Sequence, residues 1–405
     1  MSGIRKDTIL QNPGFIWLWS GETVSTISSS VGTMAITWLI YDLTQSEAAM
    51  SGIWLSYLLP SLFVQIVAGP YLDRWDRKKI LVFSQMSRAL LFLVLLLLTI
   101  TSQVTAWELY LASCINGMIQ PLYMPSSLAA LPMIVSKEQL PQANAYMDGT
   151  SRLMMFLGPP VGGLLVASGG ILTALVAVVS TYTISSLLLT RLPLADSRDQ
   201  VSKESWWSQF ILGYRYFFGQ RELFWLGVFI ASIQFGVGVT MAIHLPYIVS
   251  VLGGDSFSYG LFIAGYPFGY FIGTLLFSRF RKTNRTSRLM LGSFLFGGTT
   301  FVALGLVQHL WLAILIEIVA GLAAPFFHVH STSLFQITVP KHLLGRILSV
   351  RLFIIRCTMP LGVVVGGVFA EIWGIRPLFA LIGGIICLLG ILGLTLPFFR
   401  FLREQ

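Results

Sequence analysis

A glutamate, Glu22, stands inside an apolar run near the start of the chain, in the stretch "LWSGETVSTISSS". Ser25, Thr26, Ser29 and Thr33 follow it at intervals of three and four, so a helix would set all five on one face. A carboxyl kept from bulk water beside hydroxyls can load and release a proton, or recognise a cation. The plainer alternative is a glutamate that reaches a polar boundary and does neither.

Further charges stand in equally apolar surroundings. Asp148 and Arg152 are one helical turn apart. Either they neutralise each other, or Arg152 pairs with Glu22 in one conformation. Arg88 is a third member of that group, and Arg356 has no acid near it in its own run. Either it neutralises an anionic group of a ligand or it pairs across helices. Glu317 shares a helical face with Gly321, Ala324, His328 and Ser331, while Ser113, Asn116, Gln120 and Tyr123 form another polar stripe. Such stripes either wall a cavity or hydrogen-bond between helices, since both uses satisfy polar groups kept from water. The proton or cation candidates are therefore Glu22, Asp148 and Glu317.

Other chemistries are disfavoured. No G-x-x-x-x-G-K-[ST] loop is present, so nucleotide-driven work by this chain alone is not expected, nor is catalysis. His328 and His330 are two apart and point to different helix faces, which argues against a metal there. Cys114, Cys357 and Cys387 all lie in apolar runs and suit packing. No cofactor is expected.

The elements that must hold these residues follow from composition. Of 405 residues, 11% are charged and 55% hydrophobic, where a soluble domain averages about 25% charged. Runs near 20 apolar residues recur, the length a helix needs to cross a bilayer. The fold class is an all-α integral membrane protein. Twelve spans can be drawn: Phe15–Tyr41, Ala48–Leu72, Ile80–Thr101, Trp107–Met124, Leu140–Ala167 and Ile171–Thr190, then Leu223–Val249, Tyr259–Phe277, Leu289–Val307, Leu310–Phe327, Ile347–Phe369 and Leu378–Phe398. The polar, basic stretch before the first span is not expected to be a cleavable leader.

Charge sets the orientation. With the N-terminus inside, the inner segments collect the loop lysines and arginines and the outer loops carry only Arg376. Both termini are then cytoplasmic, in a cell membrane. The net charge of +9 is accounted for in this way and calls for no nucleic-acid partner. The most charged inner loop, "GPYLDRWDRKK", has six charges in the seven residues from Asp73 to Lys79.

The chain divides into residues 1–190, a cytoplasmic linker 191–222 and residues 223–405. In the linker, Trp206, Trp207, Phe210, Ile211, Tyr214, Phe217 and Phe218 form a stripe suited to a helix lying in the membrane interface. The two large parts repeat. A shift of 204 residues brings Gly69 onto Gly273, Arg77 onto Arg281, Lys78 onto Lys282, Gly117 onto Gly321, Pro121 onto Pro325 and Arg152 onto Arg356. Two pseudo-symmetric six-helix bundles result, the plan of many secondary transporters.

Here the sequence resembles the major facilitator superfamily. Gly69, Leu72, Asp73, Arg74, Arg77 and Lys78 are similar to its signature between spans two and three, with Asp76 where that signature has a second glycine. That replacement, "LWSGETVSTISSS", "VPKHLLGRILSV" and "GPPVGG" together resemble exporters of the macrolide-efflux and enterobactin-exporter type. The resemblance implies a latch, with Asp73 holding the outward-facing state. The second copy, with Phe277 and Phe280 in place of Asp73 and Asp76, is degraded. In the fifth span Gly158, Pro159, Gly162 and Gly163 are similar to the antiporter signature, which implies export. Ala145 and Met154 stand where its upstream glycines would be. The expectation is a monomeric, proton-driven exporter of amphipathic organic molecules such as a drug or siderophore, working by alternating access in the lipid bilayer. A uniporter or lipid flippase on the same fold, and a membrane sensor or scaffold that moves nothing, are the other readings.

Overall fold

The computed structural model describes residues 9–72, 75–136, 138–194, 214–280, 286–339 and 344–396. Eleven long α-helices make up nearly all of this. After a 3-10 turn at Ile9–Gln11 come α1 (Pro13–Thr44), α2 (Glu47–Leu72), α3 (Arg77–Ile100), α4 (Ala106–Ile134) and α5 (Leu140–Thr190). Then follow α6 (Arg221–Pro246), a π-helical turn at Tyr247–Val251, α7 (Ser256–Phe280), α8 (Thr286–Leu306), α9 (Leu310–Thr338), α10 (Leu344–Trp373) and α11 (Ile375–Thr395). Among the described residues, ten are long and apolar enough to cross a membrane. The remaining one, α4, is diluted by Ser113, Asn116, Gln120, Ser126, Ser127 and three internal prolines.

Helix α5 holds two spans. It runs 51 residues and breaks at Gly170, whose φ of 72° lies in the left-handed region that glycine enters without steric cost. The expected spans Leu140–Ala167 and Ile171–Thr190 are its two arms, so eleven helices supply twelve crossings.

Local chemistry sets several helix starts. Asp76 is the N-cap of α3, its carboxylate accepting the Lys79 backbone N–H at 3.2 Å. A glycine would supply no such acceptor, which gives the departure from the signature a physical use. Glu108 accepts the Thr105 backbone N–H at 2.9 Å, closing the first turn of α4. Asp255 accepts the hydroxyl and the backbone N–H of Ser258 at 2.6 and 2.8 Å. Those bonds, the hydroxyl's foremost, hold its carboxyl below the usual carboxylate range.

The helices gather into two compact units: Met1–Leu43 with Ser56–Ser202, and Thr44–Leu55 with Lys203–Gln405. In the first, α3 packs on α4 and α5; in the second, α6 packs on α10, α7 on α9, and α8 on α11. Glycines set the approach. A Cβ on Gly117 would overlap the Tyr57 carbonyl of α2, and one on Gly321 would overlap the Tyr266 carbonyl of α7. These two glycines are 204 residues apart. Gly158 meets Ser30 on α1 while Gly362, again 204 residues on, meets Phe235 on α6. The internal repeat is thus visible as repeated contacts. Asp73 and Arg74, and the linker stripe from Trp206 to Ile211, lie outside the described residues.

Candidate functional site

In the first unit three helices bring polar side chains to one buried place. Helix α1 supplies Glu22 and Ser25, α3 supplies Gln85 and Arg88, and α4 supplies Gln120, Tyr123 and Ser127 at helical spacing. Glu22 is 7% exposed and Arg88 1%. Tyr123 donates its hydroxyl to Glu22 Oε2 at 2.7 Å and Ser127 donates to the same oxygen at 3.1 Å. Arg88 donates to Gln120 Oε1 and lies over the Tyr123 and Tyr182 rings, 5.6 and 5.7 Å from their centroids. Its charge acts on Glu22. Gln85 donates to Ser25 Oγ at 2.7 Å.

A carboxylate at this depth is costly unless donors and a cation surround it. The first unit supplies both. Gln85 Oε1, Arg88 Nε and Asn116 Oδ1 are buried here without a hydrogen-bond partner.

The other expected residues fall in several places. The Thr26 hydroxyl bonds back to the Glu22 carbonyl at 2.9 Å. Ser29 and Thr33 are partly buried, and Ser113 and Asn116 are buried. Asp148 and Arg152 form an ion pair at 2.8 Å with side chains 65% and 51% exposed. Arg77 donates to the Ala129 carbonyl at 2.9 Å, tying the start of α3 to α4. Lys78 lies in the first turn of α3, and Gly69 near the end of α2. Gly158, Pro159, Gly162 and Gly163 lie inside the first arm of α5, where Gly158 and Gly162 face α1. Arg356 is exposed on α10.

In the second unit Glu317 of α9 is buried, and its Oε1 lies 4.0 Å from His244 Nε2 of α6. That separation is too long for a hydrogen bond, and His244 Nε2 is buried without a hydrogen-bond partner. Gly265 makes room, since a Cβ there would stand 3.1 Å from that of Glu317. Farther along α9, His328 lines a cavity of about 340 Å³ together with Arg351 of α10.

Sequence reasoning passed over His244, Arg351, Gln85 and Ser127. For Arg351 a signal existed. It lies in the same apolar run as Arg356, five residues earlier, and a cation in a span is a functional candidate by default. His244 offered the same signal more weakly, as a lone imidazole in "MAIHLPY". Gln85 and Ser127 gave none beyond being polar.

Apolar helices sufficient for many crossings, glycine-packed units that repeat at a fixed offset and buried ionisable groups within them define a multi-pass membrane transporter of the major facilitator fold. A sequence profile described as transmembrane secretion effector, within the same superfamily, matches residues 8–403, and the chain belongs to that family.

Macrolide efflux protein A of Streptococcus pyogenes is 24% identical over 385 residues, 93% of this chain and 94% of its own length. Enterobactin exporter EntS of Escherichia coli is 24% identical over 340 residues, 83% of this chain and 80% of its own length. Among solved structures, nucleoside transporter NupG superposes with a TM-score of 0.76 at 14% identity, covering 94% of this chain and 98% of that one. A variant of peptide transporter POT gives 0.77 at 13% identity, covering 96% and 95%. The two superpositions establish the fold. The family and its efflux-type members make this chain a membrane transporter.

Proposed function

We propose that the protein is a proton-driven exporter of amphipathic organic molecules, working as a monomer by alternating access in the cell membrane, with both termini cytoplasmic. The observation that carries the reading is the buried Glu22, held by Tyr123 and Ser127 with the Arg88 charge at hand. A carboxylate so placed accepts both donors. A carboxylic acid must turn one oxygen into a donor, which changes the bonding across α1 and α4. Proton binding and helix arrangement are linked in that way, and a ligand or proton shifts such an equilibrium only through differential contacts.

Asp148 is a weaker candidate because it is exposed and already paired with Arg152. Glu317 with His244 is a second buried place for a proton. Inward proton flow would supply about 2.3 kcal/mol per charge per 100 mV of membrane potential. The printed functions of the relatives, macrolide efflux and enterobactin export, favour outward transport of organic molecules. The latch residues Asp73 and Arg74 belong to the proposal through resemblance alone.

The test is efflux from proteoliposomes after a pH jump. Wild-type protein is expected to drive uphill flux, Glu22→Gln to lose at least tenfold of the proton-driven rate, and Asp148→Asn to keep most of it. Flux with no proton movement would make the protein a uniporter or flippase, and no flux of any kind a sensor or scaffold. Full proton-driven flux in Glu22→Gln would remove Glu22 from the mechanism.

A further inference from the structure

The second unit carries a partly open cavity lined by residues of all six of its long helices, α6 to α11. Its volume of about 340 Å³ is at the small end of ligand pockets. Aromatic side chains, among them Tyr266, Phe294, Phe301 and Phe327, share the wall with aliphatic ones such as Ile230, Ile233 and Ile355. Among the described residues that line it, Arg351, 6% exposed, is the charged side chain and none is Asp or Glu. Arg351 is aimed by its neighbours on α9, donating to Thr332 Oγ1 at 3.0 Å and to Ser331 Oγ at 3.4 Å.

A guanidinium inside a membrane span is expensive, and such residues mark ligand paths. Its planar fork matches a carboxylate in two parallel bonds and gives a cation nothing. Flat π faces and apolar side chains around one fixed polar group are the usual anatomy of a small-molecule site. The wall therefore sorts ligands by charge as well as by shape.

We propose that this cavity binds the aromatic end of an amphipathic organic anion, its carboxylate on Arg351 and its ring among the aromatic side chains, and that it rejects lipophilic cations. The proposal rests on the exporter reading for its biological sense and narrows the substrate class. The binding chemistry stands by itself.

Gly297 provides a clean probe. It lines the cavity, and a Cβ built on it meets no atom within 4 Å, so a larger side chain can leave the backbone there without a clash at its first carbon. Binding is measured by calorimetry on the intact purified protein with a matched set: 2-naphthoate, 2-naphthamide, 2-naphthylmethylammonium and decanoate.

Naphthoate is expected to bind at least tenfold more tightly than the ammonium compound. Arg351→Gln should bring naphthoate down to the affinity of the amide and leave the amide unchanged. Arg351→Lys should keep the charge preference in reduced form. Gly297→Leu should abolish binding of naphthoate and amide alike while the protein stays monodisperse, and it decides the matter should Arg351→Gln fail to fold. Equal or tighter binding of the ammonium compound overturns the proposal. So does naphthoate binding that survives Gly297→Leu. Preference for decanoate assigns the cavity to an acyl chain and overturns the aromatic assignment. Naphthoate binding without proton-driven flux would sink the exporter reading and leave this one standing. Proton-driven flux with naphthoate binding indifferent to Gly297 would do the reverse.

Discussion

Two adjacent hydroxyls on α4 separate a site role from a packing role. Ser127 donates to Glu22, while Ser126 bonds back to the Leu122 carbonyl at 2.8 Å. Both are buried serines on one helix. Hydrogen bonds to a charged group contribute about 1.5–3 kcal/mol, and a back-bond in a helix contributes far less. Ser127→Ala and Tyr123→Phe should each slow proton-driven efflux several-fold, and Ser126→Ala should leave it near wild type. Equal losses in all three, measured in the same vesicle assay, would mean that α4 only packs. In the second unit, His244 and Glu317 predict a different pattern. The two stand 4.0 Å apart and buried, close enough for the loss of one to change the other's surroundings. Thermal melts in detergent should show His244→Gln and Glu317→Gln each lowering Tm, with the double variant falling short of their sum. Additive losses would show the two groups to be independent.

At the scale of the elements, glycine contacts give the sharpest expectation. A Cβ at Gly117 or Gly321 would run into backbone, which has no rotamer to escape into. Overpacking costs about 1–3 kcal/mol where side chains can yield. Gly117→Ala and Gly321→Ala should exceed that and cut the yield of monodisperse protein sharply. Gly292→Ala and Gly384→Ala, with nothing within 4 Å of the added carbon, should be tolerated on the same size-exclusion column. Elements were also the most legible part of the sequence. Lipid demands long apolar runs, so the spans could be drawn from composition, and the two arms of α5 were separable because Gly169 and Gly170 interrupt the run. Glu22 was legible for a related reason, because a charge in such a run stands out. Its partners were not. Tyr123 and Ser127 are 101 and 105 residues away, and a polar residue in a span announces only that it needs some partner. Arg351 stood in plain view, and reading it needed a helix placed opposite to hold its fork.

For the whole molecule, the decisive asymmetry is between the two ends of the helices. Following the crossings in order, with α5 counted as two, α3 and α6 start on the same side of the membrane as the N-terminus. Arg77, Lys78 and Lys79 open α3, Arg191 follows α5, and Arg221 opens α6. The opposite ends carry Glu47, Glu108, Asp255 and Glu371, with Arg376 the cation at the start of α11. Lysine and arginine are retained on the cytoplasmic side and acids matter little, so the basic ends support the proposed topology, with both termini cytoplasmic. Twelve crossings return the chain to the side where it began. A green fluorescent protein fused at the C-terminus should therefore fluoresce, and alkaline phosphatase at the same place should be inactive. Phosphatase inserted after Ser102, in the exposed connection between α3 and α4, should be active. Activity at the C-terminus together with inactivity after Ser102 would invert the protein in the membrane. The inward proton flow proposed to drive export would then have to enter at the opposite ends of the same helices.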